Sequence, residues 1–377
     1  TIQRLAIPVL ADQQIGDIEV FVHDGKIHLF HLTLPAHQNV GHWVSDDALH
    51  WRQLPHALTV GPRGALDDGQ IWTMTVFKWQ DEFRMLYTAI TKHENSFVQR
   101  VSIASSNDLL TWKKHPEVLV EPDPRWYVRD PKVRKKSAFR DPFPWIVNGT
   151  IHMLVTAQDK TKPVLRQGCV AHYSSRDTIH WKAHPPLYSP GRWYDCEVAS
   201  LYKIGKYHWL FFGGRESAEV RVVRARDWRG PYQQASSSPV LPPWNDNGRC
   251  CYFRGQWLFF HWYRQPPSIF NAGLAGYGYN HPKQRYVFCL PKELRETASG
   301  QLELMGFKGI SGLHRGKPCL ATGIKSQRVD GLGLRTKLSH RTFKDFEWTV
   351  TIRKVTGVAA GLVLRSDRPG VNALWLR

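Results

Sequence analysis

The sequence predicts an all-β fold: a five-bladed β-propeller followed by a small or incomplete β-sandwich module. Three observations carry that expectation. Five segments repeat one hairpin grammar, and a strand–turn–aromatic element follows the first four of them. Helical periodicity is almost absent, while 24 Pro and 29 Gly supply turns.

The hairpins read VFVHDGKIHLFHL from Val20, VFKWQDEFRMLYTA from Val76, PWIVNGTIHMLVTA from Pro144, LYKIGKYHWLFFG from Leu201 and CYFRGQWLFFHW from Cys251. Asp24-Gly25 and Asn148-Gly149 accept positive φ, as a tight hairpin turn requires. The following element reads HWVSDDALHW, IASSNDLLTW and AHYSSRDTIHW, ending at Trp51, Trp112 and Trp181; a degenerate copy, VVRARDW, ends at Trp228. Each joins a strand to a Ser/Asp/Asn-rich turn and an aromatic placed to cap the next strand. The hairpin turns at Gly25, Glu82, Gly149, Gly205 and Gly255 lie 57, 67, 56 and 50 residues apart. Propeller blades of roughly 40 to 50 residues plus loops have that spacing. A β-sandwich with irregular loops is the alternative. Beyond Met305 the grammar changes, and GIKSQRVDGLGLRTKL, DFEWTVTIRKV and GVAAGLVLRSD read as strands of a second module. The expected domains are 1–304 and 305–377.

The bulk composition, 42% hydrophobic and 22% charged over 377 residues, is that of a globular chain with a substantial core. No apolar stretch approaches the roughly 18 residues of a membrane span. The chain opens TIQRLAIPVLADQQ, with neither Met nor a hydrophobic leader, and its compartment is left open. The net charge of +19 would attract anionic partners. Lys and Arg are nevertheless spread over the whole chain. The densest run, from Arg125 to Arg140, has no nucleic-acid motif around it and reads as a solvated loop. Neither nucleic acid nor membrane is expected as a partner. Six Cys include no C-x-x-C pair and read as buried thiols, and 18 His show no ligand spacing. No metal or cofactor is expected.

The candidate catalytic residues come from the repeat. Seven or eight residues before three of the hairpin turns, where the first strand of each blade begins, stand Asp17, Asp141 and Glu197. Equivalent starts of innermost strands gather at one end of a propeller's channel, so three acids from three blades converge. Such carboxylates repel, which favours a protonated acid beside an ionised one. Glycoside cleavage needs that pair. Arg140 would hold its neighbour ionised and donate to sugar hydroxyls. Trp72, Trp43, Tyr194, His42 and Asp68 are further candidate substrate contacts, since aromatic faces suit the apolar faces of sugar rings. Trp126, Trp193 and Asp67 lie beside them. The expected partner is an oligosaccharide or small glycoside.

At these residues the sequence resembles glycoside hydrolase family 32, the invertase, inulinase and levanase group. GHWVSDDALHWRQLPHAL at 41–58 resembles its blade-one signature, FRDPF at 139–143 its Arg-Asp-Pro motif, and LPKEL at 290–294 the segment closing the propeller. The resemblance implies a propeller with an appended sandwich and cleavage of a β-fructofuranoside with retention. Asp17 would be nucleophile, Asp141 transition-state stabiliser and Glu197 general acid/base. The chain departs from the family where Asn-Asp-Pro-Asn is Gly16-Asp17-Ile18-Glu19, and where Glu-Cys-Pro is Cys196-Glu197-Val198. Aligning on the cysteine would make Asp195 the acid, but EVASLYKIGK runs into its blade without a gap from Glu197. Leu32 and Val40 stand where the family has a glutamine and a tryptophan that help hold fructose. An inverting α-arabinofuranosidase/β-xylosidase propeller and a non-catalytic glycan-binding propeller are the other readings.

Overall fold

Five antiparallel sheets, each grown from one of the repeats, lie between Gln14 and Gly306 in this computed structural model. The structure describes residues 14–92, 98–129, 138–214, 219–238, 240–241, 245–265, 285–313, 362–364 and 374–376. Blade 1 contains β1 (Gln14–His23), β2 (Lys26–Leu34), β3 (Asn39–Ser45) and β4 (Trp51–Thr59). Blade 2 contains β5 (Gln70–Trp79), β6 (Glu82–Ile90), β7 (Gln99–Ser106) and β8 (Lys113–Val120). Blade 3 is β9 (Arg140–Val147), β10 (Thr150–Gln158), β11 (Gly168–Ser175) and β12 (Lys182–Tyr188). Blade 4 is β13 (Cys196–Ile204), β14 (Tyr207–Gly214), β15 (Glu219–Ala225) and β16 (Gln233–Gln234). In blade 5, β17 (Asn245–Phe253) and β18 (Gln256–Gln265) are followed by β19 (Arg285–Phe288), β20 (Lys292–Glu296) and β21 (Leu302–Gly306). Both β19 and β20 pair with β18.

The ring closes through five apolar cores, one between each pair of neighbouring blades. Phe30 and Leu32 meet Met74 and Met85 between blades 1 and 2; Leu86 and Ile103 meet Ile151 and Met153 between blades 2 and 3. Phe143 and Leu154 meet Leu201 and Leu210, and Trp209 and Phe211 meet Cys250 and Phe259. The last core joins the ends of the ring, with Ile18, Leu29 and Trp51 against Leu258, Phe260 and Trp262. Each sheet thus buries both faces, as radial packing demands. The innermost strands β1, β5, β9, β13 and β17 are neighbours in cyclic order.

The local chemistry explains the repeats. Asp24 and Gly25 have φ of 47° and 69°, and Asn148 and Gly149 have 48° and 69°, so both dipeptides make turns with positive φ at both positions. The Ser/Asp-rich turns are built three times alike. Asp47, Asp108 and Asp177 each accept a bond from a preceding Ser (Ser45, Ser106, Ser175) and from backbone N–H groups two and three residues on. The indole N–H groups of Trp51, Trp112 and Trp181 donate to the carbonyls of Ala48, Leu109 and Thr178.

Strand β21 ends at Gly306, and the chain divides into the units Thr1–Leu313 and His314–Arg377. The second unit shows one described antiparallel pair, β22 (Leu362–Leu364) with β23 (Leu374–Leu376). The rest of the expected sandwich lies outside the described residues, as do Cys319 and 130–137 of the basic run. Cys169, Cys196, Cys250 and Cys251 are buried free thiols and Cys289 is half-buried. Among the described residues no helix is long and apolar enough to cross a membrane.

Candidate active site

Every innermost strand breaks register at the same depth. The pairs Ile15–Thr33 and Ile18–His31 flank the break in β1, and Trp72–Thr88 and Met74–Tyr87 flank it in β5. Arg140–Thr156 and Phe143–Leu154 do so in β9, and Glu197–Gly213 and Ser200–Phe211 in β13. In β17 the break falls between Asp246 and Arg249. Such bulges bend a strand and re-aim its side chains. Six residues before the end of each strand stand Asp17, Thr73, Asp141, Val198 and Asn247. One residue earlier stand Gly16, Trp72, Arg140, Glu197 and Asp246. Asp17 and Asp141 are therefore true equivalents, whereas Glu197 matches Arg140 and Trp72, which refines the seven-or-eight-residue offset. At blades 3 and 4 the bulge is left-handed, with φ of 58° at Asp141 and 50° at Val198. Asp tolerates that region; a β-branched Val does so only under constraint.

The bulges bring the expected residues together. Arg140 Nη2 lies 2.5 Å from Glu197 Oε1 and 3.2 Å from Asp195 Oδ2, and its Nε lies 3.4 Å from Asp141 Oδ2. One guanidinium thus offsets three carboxylates, using the donor fork that Lys lacks. Asp141 Oδ2 accepts from Thr156 Oγ1 at 2.9 Å and from the Val198 N–H at 3.1 Å. The Asp141 N–H donates to Thr88 Oγ1, which in turn donates to the Thr73 carbonyl. Thr73 Oγ1 donates to Asp17, so a short chain of bonds links Asp17 to Asp141 across blades 1, 2 and 3. Asp141 is buried, while Asp17 and Glu197 are half-buried. A recessed carboxylate with two accessible ones is an arrangement suited to acid/base and nucleophilic work on a glycoside.

Asp195 is the residue that sequence reasoning left aside. It is 1% exposed, with Oδ1 accepting from Gln158 Nε2 at 3.0 Å and Oδ2 facing Arg140. Enclosed in this way, it holds the arginine and presents no free face to a ligand. Gln99 completes the cradle, its Oε1 accepting from the Phe139 N–H and from Arg140 Nη1.

The remaining candidates divide. Trp72, half-buried at the ring position of Arg140 and Glu197, donates its indole N–H to Gln70 Oε1 at 2.8 Å. Tyr194 is half-buried just before Asp195. Asp68 ties its own loop, accepting from the N–H groups of Gly64 and Lys92, and buried Asp67 pairs with Lys114. Trp193 is flanked by the guanidinium groups of Arg192 and Arg221, and Trp126 packs on the core between blades 2 and 3.

His42 and Trp43 are corrections. His42 is fully buried inside blade 1, stacked on Phe30 at 4.2 Å and bonded to His28, and Trp43 packs in the core shared with blade 5. The GHW signature is a folding device. His31 Nδ1 bonds the Leu32 carbonyl at 2.8 Å, so that nitrogen carries the proton, and Nε2 accepts from Trp43 Nε1 at 3.2 Å. A Cβ at position 41 would lie 2.2 Å from His31 Nε2, which is why Gly41 stands there. Leu32 and Val40 are also core residues, between blades 1 and 2.

Deeper in the channel, fully buried Arg249 places Nε 2.9 Å from Glu19 Oε2 and donates from Nη1 to the Val198 carbonyl at 2.8 Å. Burial pushes Glu19 up to about 8, against the pull of Arg249. Beyond this pair, toward the hairpin turns, a cavity of about 250 Å³ is lined by Glu19, Thr75, Phe143, Tyr202 and Cys250 among others. Among the described residues, no cluster of His, Cys, Asp and Glu is arranged to hold a metal ion.

A closed five-bladed ring with acids from three blades at one mouth defines a propeller of the glycoside hydrolase type. The chain belongs to glycosyl hydrolases family 32: residues 17–238 match that family's N-terminal domain. It is 25% identical over 201 residues to the raffinose invertase of Escherichia coli, a match spanning 50% of this chain and 39% of that protein. Fructan 1-exohydrolase IIa from Cichorium intybus superposes with a TM-score of 0.64 at 18% identity, covering 83% of this chain and 62% of that one. A thermostable family-43 glycoside hydrolase superposes with a TM-score of 0.59 at 16% identity, covering 80% of this chain and 96% of that one. The two superpositions establish the fold. The chain spans less than two thirds of the invertase and of the exohydrolase.

Proposed function

We propose that this protein hydrolyses a β-fructofuranoside with net retention of configuration. Glu197 protonates the glycosidic oxygen while Asp17 attacks the anomeric carbon, expelling the aglycone and leaving a glycosyl ester on Asp17. Glu197, now ionised, takes a proton from water as the water displaces Asp17. Asp141, fixed by Thr156 and the Val198 N–H, stays recessed and receives sugar hydroxyls together with Arg140. The observation that carries the reading is Arg140, which ties Glu197 to the Arg-Asp-Pro bulge beside Asp141. Family membership and a relative named raffinose invertase favour a fructoside as substrate.

The burial of Leu32 and Val40 favours a second reading, an inverting α-arabinofuranosidase or β-xylosidase. Those two positions offer a fructosyl unit no polar group. One experiment separates the readings: sucrose, raffinose and 1-kestose are offered beside arabinofuranosides and xylosides, and the anomer first released is followed by NMR. Fructose released with retained configuration supports the proposal. Pentose released with inverted configuration replaces it, and glycan binding without turnover leaves a binding platform.

A further inference from the structure

We infer that Arg249 is a positioning residue for the reaction: it clamps the peptide that follows Glu197 to the strand that carries Asp17, and so sets how the two carboxylates face each other. The inference rests on the glycosidase reading above and extends it to a blade that supplies none of the three acids.

The geometry is specific. Val198 is held at both ends, its N–H by Asp141 Oδ2 at 3.1 Å and its carbonyl by Arg249 Nη1 at 2.8 Å. With φ of 50°, this β-branched residue sits in a region it would leave if either bond were lost. Relaxation at Val198 would rotate the preceding peptide and with it the Glu197 side chain. On its other side Arg249 pairs through Nε with Glu19, two residues after Asp17 on β1. One guanidinium thus links β17 to β1 and β13. Its Nη2 is buried with no hydrogen-bond partner among the described residues. A buried donor left unmade costs stability, so the group is not optimised for folding alone. Lys would carry the charge but lacks the planar fork that reaches Glu19 and Val198 together.

The test uses Arg249→Lys and Glu19→Met in the whole chain. For each, thermal melting, kcat, KM and the pH profile of kcat/KM are measured on the best fructoside, and a crystal structure of Arg249→Lys reports Val198. The expected result is kcat lowered by about 10- to 100-fold, the scale of a misplacement of about 1 Å. KM should stay within about threefold, and the pH limb reporting the acid/base should shift because Glu197 moves relative to Arg140. Combined with Glu197→Gln, Arg249→Lys should cost little further turnover, since both act through one group. A folded Arg249→Lys with wild-type kcat and pH profile would overturn the inference, as would a full additive loss in the double variant. Should Arg249→Lys fail to fold, Glu19→Met, which removes the acceptor for Arg249 Nε, decides by the same readings. If the wild-type protein cleaves no glycoside, the functional reading fails, and the clamp is judged by whether Val198 keeps its left-handed conformation in the variant structure.

Discussion

Asp195 anchors Arg140: Oδ2 of this enclosed carboxylate lies 3.2 Å from Arg140 Nη2, while Gln158 fixes its other oxygen at 3.0 Å. The same Nη2 reaches Glu197, whose side chain is 18% exposed against 1% for Asp195. Two acids two residues apart therefore sit in different surroundings. Asp195→Ala leaves Arg140 two of its three carboxylates but strips Gln158 Nε2 of its acceptor, and should cost about 1–3 kcal/mol in urea denaturation. Glu197→Gln keeps shape and leaves no charge buried alone. It should alter stability by less than about 1 kcal/mol while lowering turnover by at least about 10³-fold, because proton donation is lost. The reverse pattern would make Asp195 the acid.

Asp17 receives its bond from Thr73, the residue at the same bulge position in blade 2. Thr73→Val removes that hydroxyl at nearly constant volume and should lower kcat about tenfold by leaving the carboxylate less fixed. Under the retaining mechanism, a slow fluorinated substrate should leave a glycosyl ester on Asp17, read by mass spectrometry of the proteolysed protein. A label on another carboxylate would remove Asp17 from the nucleophile role.

The hairpins and blade count were legible because turn chemistry and aromatic caps are local: Asp24-Gly25, Asn148-Gly149 and the Ser45–Asp47–Trp51 unit each carry their own bonds. That Asp17, Asp141 and Glu197 stand near the starts of innermost strands was legible from the same repeat. The bulge was not, since counting residues gives an offset but not which strand gains the extra one. Arg249 and Glu19 were missed because each meets its partner across 230 residues. His42 and Trp43 were misread for a related reason: a motif shared with a family marks necessity without saying whether the need is packing or catalysis. The cysteine-first alignment would put the acid on Asp195, a side chain enclosed by Gln158 and Arg140.

Gly41 is a packing requirement that can be tested apart from the site. Gly41→Ala drives a methyl to 2.2 Å from His31 Nε2, and that ring is pinned by the Leu32 carbonyl and Trp43. Overpacking of this kind costs roughly 1–3 kcal/mol. The melting temperature should fall, while kcat per folded molecule should stay near wild type. A large loss of kcat without loss of stability would show that the GHW segment reaches the site.

Acid should unfold this protein through its histidines. Burial lowers His31 and His28 to about 4 and His42 to about 3, and the equivalent pair in blade 3, His152 and His172, to about 4 and about 3. Unfolded imidazoles bind protons below about 6.5, where the folded ones do not, so the unfolded state holds more protons between roughly pH 4 and 6.5. Stability is therefore fully present above pH 6.5 and drains away as pH falls through that window. His31, fully buried between Leu32 and Trp43, contributes about 3 kcal/mol of that loss at 1.36 kcal/mol per pH unit. Denaturation midpoints followed from pH 7 to pH 4 should fall steeply, and His31→Gln should be less stable at pH 7 but lose less on acidification. A midpoint that stays flat across this range would mean that the buried imidazoles already take up protons in the folded state.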